Sequence, residues 1–256
     1  DVLGSRGLGD VYKRQADNYS VKILRKFFPD LYFNMMAKKG VFVWKSARIY
    51  KPLPLLNEKL QKRIVLNGYW QSEKYFSDVA EILRMELTPK EPLQQQNEEL
   101  YNKIKNTNSV CVTIRRGDFM NEKNKGTFYI CDNTYFGNAL AYIKKCLPDC
   151  TFFGFSDDID WVKNNMEFPG EVYYESGVDP VWEKLRLMSA CKHFVLSNSS
   201  FSWWAQYLSN EKKKIVVAPD IWYKTGKHAK ADLYQDDWKL IHIGLSLIHI
   251  SEPTRP

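Results

Sequence analysis

The chain has 256 residues, 44% of them hydrophobic, with a net charge of +7 and a pI near 9.0. This is enough to bury a sizeable core in one large domain or two small ones, and no run of about 18 apolar residues or charged-then-apolar leader is present. The expectation is a soluble, globular, cytoplasmic protein whose positive charge suits nucleic acid, an anionic membrane surface or a phosphorylated ligand, without choosing among them. Cys111, Cys131, Cys146, Cys150 and Cys191 are odd in number and lack CxxC spacing, which argues against a disulfide framework and against a structural zinc site.

Both ends stand apart from the rest. Ser5 to Gln15 (SRGLGDVYKRQ) and Leu245 to Arg255 (LSLIHISEPTR) back-translate into reverse complements of one another, as the two ends of an insert flanked by one DNA adapter would. Segments 1–15 and 245–256 are therefore expected to be non-native, and Ala16 to Gly244 to be the native stretch of a gene fragment truncated at both ends.

From Ala16 to about Leu87 the sequence is basic and aromatic, with helical spacing around Ile23, Leu24, Phe27 and Phe28 and an apolar burst at Val41 to Trp44. Val65 to Ser72 (VLNGYWQS) reads as a strand ending in a glycine turn, and Glu73 to Leu87 as an amphipathic helix. Thr88 to Lys105, with Pro89, Pro92 and three consecutive glutamines, reads as a solvated connector and a polar helix. It divides a partial amino-terminal domain, 16–105, from a second domain, 106–244.

The second domain is regular. Short apolar runs rich in β-formers at Val110 to Ile114, Thr151 to Phe155, Val172 to Tyr174, His193 to Leu196 and Lys214 to Val217 alternate with amphipathic stretches at Thr134 to Leu147, Asp158 to Met166, Pro180 to Cys191 and Phe201 to Leu208. This alternation predicts a parallel sheet covered on both faces, with ligands bound where strand order reverses, beyond the strands' carboxyl ends.

Three segments follow strands directly. Arg115-Arg116-Gly117-Asp118 places two permanent cations where the first of these strands ends, and an arginine fork suits a diphosphate leaving group that gains charge as a glycosidic bond breaks. An arginine pair with an acidic neighbour, such as Asp118, fits the same residues. In Phe155-Ser156-Asp157-Asp158 a carboxylate can accept from guanine while serine caps the next helix; the segment also reads as a cap alone. Ser197-Asn198-Ser199-Ser200-Phe201 opens a helix with hydroxyl and amide groups, a ready phosphate site, while Trp203 and Trp204 behind it read as core packing.

In this order, with GYWQS at Gly68 to Ser72 before them and Val217 to Tyr223 (VAPDIWY) after them, the segments resemble glycosyltransferase family 11, the α-1,2-fucosyltransferases. The resemblance implies an α/β fold of two Rossmann-like domains (GT-B type), the amino-terminal one incomplete here. It implies metal-independent, inverting transfer of L-fucose from GDP-β-L-fucose to the 2-hydroxyl of a galactose-like residue in a glycan, with no cofactor beyond the donor. Arg115 and Arg116 would grip the diphosphate. Ser156 with Asp157 or Asp158 would meet the guanine. Ser197, Asn198, Ser199, Ser200 and Phe201 would line the phosphate side. Inversion in one displacement needs at most a base, for which Asp118 and Glu122 are the nearest carboxylates to the motif. The chain departs from the family at Thr113, where histidine is frequent, and in lacking an opening Gly-Gly-Leu-Gly-Asn-Gln segment after Ala16.

Other readings are another GDP-sugar or protein-directed fucosyltransferase and, outside enzymes, a basic module binding nucleic acid or a membrane surface. Lysines scattered over Lys38-Lys39, Lys144-Lys145 and Lys212 to Lys214 argue against the last and against a nucleic-acid partner; peripheral contact with the inner membrane face stays compatible with the charge. His193, His228 and His242 lack metal-ligand spacing, and His193, at the start of a strand, reads as a packed residue.

Overall fold

The computed structural model describes residues 41–45 and 63–67 by their backbone, and residues 70, 72–117, 120, 131–223 and 232–243 in full. The adapter-like ends, the helical spacing around Ile23 to Phe28, and both Asp118 and Glu122 lie outside the described residues. The chain divides into two compact units, 1–80 with 230–233, and 81–229 with 234–256.

In the smaller unit β1 (Val41–Lys45) pairs in parallel with β2 (Arg63–Asn67), Val43 opposite Val65. The expected strand thus begins two residues earlier and ends at Asn67. The expected helix over 73–87 is broken: Glu73–Tyr75 and Ser77–Val79 are single 3-10 turns, and only α1 (Ala80–Glu86) is α-helical. Phe76 leaves the helical region at φ −141°, ψ 14°. The Ser77 and Asp78 that follow bond locally and favour helix starts over helix interiors.

The larger unit is a six-stranded, wholly parallel sheet. Its strands are β3 (Asn108–Ile114), β4 (Cys150–Ser156), β5 (Val172–Tyr174), β6 (His193–Val195), β7 (Val216–Pro219) and β8 (Lys239–Ile241). Their spatial order is β5-β4-β3-β6-β7-β8. Renumbered from β3, this is 3-2-1-4-5-6, the doubly wound order whose reversal lies between the first and fourth strands. Five of the six strands coincide with predicted apolar runs to within two residues at either end. β8 has no such run, because it is a three-residue edge strand with Lys239 and Leu240 exposed.

Both faces are covered, as continuous apolar strands require. On one, Val110, Val112, Ile114, Phe152, Val195 and Val217 pack against Tyr135, Phe136, Ala139, Leu140 and Ile143 of α3 (Asn133–Cys146) and Ile159 and Val162 of α4 (Ile159–Asn165). On the other, α2 (Glu98–Asn106) packs on β3 and on α5 (Val181–Ser189), which packs on α6 (Ser200–Leu208). Each fully buried Val, Leu, Ile or Phe stabilises this arrangement by roughly 1.5–3 kcal/mol. Local signals agree with it: Asp132 caps α3 by accepting from Tyr135 N at 2.9 Å, and Lys144 and Lys145 lie in its last turn. Gly154 sits in mid-strand because the Tyr174 ring crosses it, and a Cβ there would lie 2.9 Å from Tyr174 Cδ1. All five cysteines are free.

His193 is a packed residue, as its place at a strand start suggests. Its Nδ1 accepts from Ile215 N at 3.0 Å, so Nε2 carries the proton and donates to Asn108 Oδ1, also at 3.0 Å. Burial pushes its pKa below 6.5, with Glu211 opposing the shift and Lys192 adding to it. Below pH 6.5 the unfolded chain takes up a proton that the folded chain refuses, so stability falls as pH drops through this window. Melting temperatures compared between pH 7.5 and pH 5.5 should show a smaller acid loss for His193→Gln than for the parent. Equal losses would show that His193 contributes nothing to the slope.

Candidate functional site

The strands being parallel, every segment that follows one emerges at the same edge of the sheet. β3 and β6 are the neighbours at which strand order reverses, so Arg115 to Gly117 and Ser197 to Ser200 leave the sheet side by side. Thr113 binds the two segments together. Its carbonyl and its Oγ1 accept from Ser197 N, at 3.1 and 3.0 Å, and its hydroxyl donates to Val195 O at 3.4 Å.

Arg115 Nη1 lies 2.8 Å from Asp157 Oδ2, with the two side chains 36% and 23% exposed. The other Asp157 oxygen accepts from Arg116 N at 2.9 Å. The Arg116 guanidinium lies over the Trp161 ring, Cζ 3.5 Å from its centroid, and Nε is 3.5 Å from Asp158 Oδ2. Among the described residues, the acidic neighbours of the arginine pair are Asp157 and Asp158, delivered by β4, the adjacent strand. Both carboxylates read as guanine acceptors have arginine partners, and the distribution of the cap is also different from expectation. Asp158, rather than serine, caps α4, its Oδ1 accepting from Trp161 N at 3.2 Å; Ser156 Oγ accepts from Asp158 N at 3.0 Å. Serine loses the cap because it ends β4, two residues too early to reach the first helical turn.

The serine segment divides in two. Ser197 and Asn198 are 1% and 2% exposed and face inward. Ser197 Oγ meets Ser202 Oγ at 3.4 Å, while Asn198 donates to Trp222 O at 3.0 Å and accepts from Cys131 Sγ at 3.6 Å. Ser199, Ser200 and Phe201 lie nearer the surface at the start of α6. The first helical bond runs from Trp203 N to Ser199 O, which leaves the N–H groups of Ser200, Phe201 and Ser202 without a partner within the helix. Ser199 makes no side-chain cap bond. Trp203 is buried and stacks on Tyr207, so it is packing, while Trp204 is half-buried and edge-on to both.

Glu175 went unremarked in the sequence although it directly follows β5. It is 2% exposed; Oε1 accepts from Ser156 N at 2.8 Å and Oε2 lies 2.9 Å from Lys184 Nζ. Burial raises its pKa, and Lys184 opposes the rise. Nearby, burial would raise the Asp179 carboxyl too, but bonds from Ser176, Asn97 and Gln96 outweigh this and hold it below 3.8. Among the described residues no group of three or more His, Cys, Asp or Glu could hold a metal ion, and no helix is long and apolar enough to cross a membrane.

Residues 16–242 match the family model described as glycosyl transferase family 11. The chain belongs to that family. Among curated family 11 relatives, an alpha-1,2-colitosyltransferase from Escherichia coli is 32% identical over 228 residues, covering 86% of this chain and 74% of the relative. An O-antigen biosynthesis glycosyltransferase, WbnK, also from Escherichia coli, is 30% identical over 239 residues (88% and 74%). A galactoside 2-alpha-L-fucosyltransferase from Caenorhabditis elegans is 26% identical over 228 residues (80% and 60%). This family 11 chain is accordingly a glycosyltransferase, with a nucleotide-sugar donor and a glycan acceptor implied by its class.

Gly117 lies close against the Asp157 carboxylate. A Cβ at that position would stand 2.5 Å from Asp157 Oδ2, and Asp157 cannot swing aside without releasing Arg115 or Arg116 N. Gly117→Ala should lower stability by about 1–2 kcal/mol in urea unfolding. The same change made with Asp157→Ala should cost much less; a loss undiminished by that second change would place the strain elsewhere.

Proposed function

We propose that this glycosyltransferase moves L-fucose from GDP-β-L-fucose, with inversion, to the 2-hydroxyl of a galactose-like residue in a glycan. The observation that carries the reading is the pairing at the switch point of two arginines from β3 with the amino terminus of α6 from β6. The diphosphate gains charge as the bond to fucose breaks, and a fixed cation at Arg115 stabilises that state more than the bound donor. The N–H groups at Ser200 and Phe201 supply uncharged donors to the same anion.

The Arg115–Asp157 pair is over a third exposed on its arginine side and is worth roughly 0–1 kcal/mol, so a diphosphate can displace the carboxylate. Asp157 then becomes available to the guanine, with Ser156 and Asp158 beside it. The acceptor hydroxyl loses its proton to a base, for which Asp118 and Glu122 remain the candidates, and the displacement needs no resident metal. In this reading the smaller unit belongs to a second Rossmann-like domain of a GT-B enzyme, acting in the cytoplasm with peripheral access to the membrane's inner face.

A second reading is transfer of colitose in place of fucose, favoured by the 32% identity to the colitosyltransferase. Incubating the protein with each GDP-sugar and a lactose-type or a peptide acceptor separates these outcomes by product mass.

GDP should raise the melting temperature, and ADP should raise it less. Arg115→Ala should weaken GDP binding by about 1.5–3 kcal/mol, roughly ten- to a hundred-fold, the range for hydrogen bonds to charged groups. A melting temperature unmoved by GDP would overturn the reading.

A further inference from the structure

Trp161 lies outside the segments that carry the family resemblance, yet it shapes the more enclosed of the two arginines, 45 positions earlier in the chain. Arg116 leaves β3 with its guanidinium over the Trp161 indole, Cζ 3.5 Å from the ring centroid. Its Nε is buried and makes no hydrogen bond of normal geometry, with Asp158 Oδ2 at 3.5 Å. Trp161 is itself held: its N–H donates to the Asp158 cap, and its ring packs against the core cluster beneath α4. Asp158 and Trp161 are one helical turn apart, so the first turn of α4 grips the guanidinium at its edge and on one face.

We propose that Trp161 is a positioning residue for donor binding, setting the plane of the Arg116 guanidinium that meets the diphosphate. This rests on the donor reading above. A guanidinium has two faces and a bidentate edge, and it recognises a phosphate only when that edge is turned toward it. On a flexible four-bond stem, that orientation carries an entropic cost at each binding event unless something fixes it beforehand. Stacking on a tryptophan fixes the plane while leaving the charge and the terminal N–H donors in place. A lysine ammonium would also be attracted to the indole face, but it has no plane to set, so the orienting effect belongs to the planar guanidinium alone.

The decisive measurement is a double-mutant cycle on GDP affinity by calorimetry, using the full chain. Trp161→Leu should weaken GDP binding roughly three- to ten-fold, and Trp161→Phe, which keeps an aromatic face, should restore it to within about two-fold. Arg116→Lys should cost a similar factor, and Trp161→Leu added to Arg116→Lys should cost little more, because the group that the indole orients is gone. Losses that multiply in the double variant would show that Trp161 acts only through general packing and would overturn the assignment. An unchanged affinity in either single variant would do the same. Should Trp161→Leu unfold the protein, the cycle is run with Trp161→Phe and Trp161→Met, where only the methionine variant should lose affinity. Failure of the donor reading looks different: GDP would then not bind the parent chain, or Arg115→Ala would bind it unchanged.

Discussion

Val110, Cys111 and Val112 pair in parallel with His193, Phe194 and Val195, and since the two strands run the same way their carboxyl ends open together. Residues 83 positions apart become neighbours through this register alone. Thr113 then ties the opening, its carbonyl and hydroxyl both receiving the Ser197 amide.

Charge around the opening is organised in layers. Lys184 faces Glu175, Glu175 holds the Ser156 amide, Ser156 holds the Asp158 amide, and Asp157 and Asp158 face Arg115 and Arg116. The series runs from α5 to the end of β5, on to the end of β4 and from there to the end of β3. The innermost pair is nearly dry and is costly to break, because either member left alone would be an uncompensated buried charge. The outermost pair is partly solvated and weak. Rigidity is thus concentrated around Glu175 and exchangeability at the arginines.

Most of the sheet was legible because buried parallel strands are continuous apolar runs, and β3 and β4 are buried along almost their whole length. The edge strand β8 was invisible for the complementary reason: with Lys239 and Leu240 both exposed and only three residues of length, Lys-Leu-Ile resembles any loop. The helix expected over 73–87 failed where Phe76 to Asp78 break its phase, a local conflict that periodicity averages away. At the candidate site, the rule that informative residues follow strands singled out Arg115, Asp157 and Ser197, which the parallel sheet brings to one edge. Applied to β5, the same rule would have reached Glu175. No rule of spacing could reveal that Asp157 and Asp158 oppose the arginines, or that Trp161 underlies Arg116, since both depend on which strand lies beside which.

Four of the five thiols are buried, and the fifth, Cys146, is exposed. It closes α3 just before β4 begins, at the amino edge of the sheet, the opposite end from Arg115 and Ser199. A maleimide dye would therefore attach at one place without prior removal of the others. Carried there, the dye reports tumbling and distance from behind the sheet while leaving the mouth of the site untouched, so this chain comes with a built-in point for single-molecule observation.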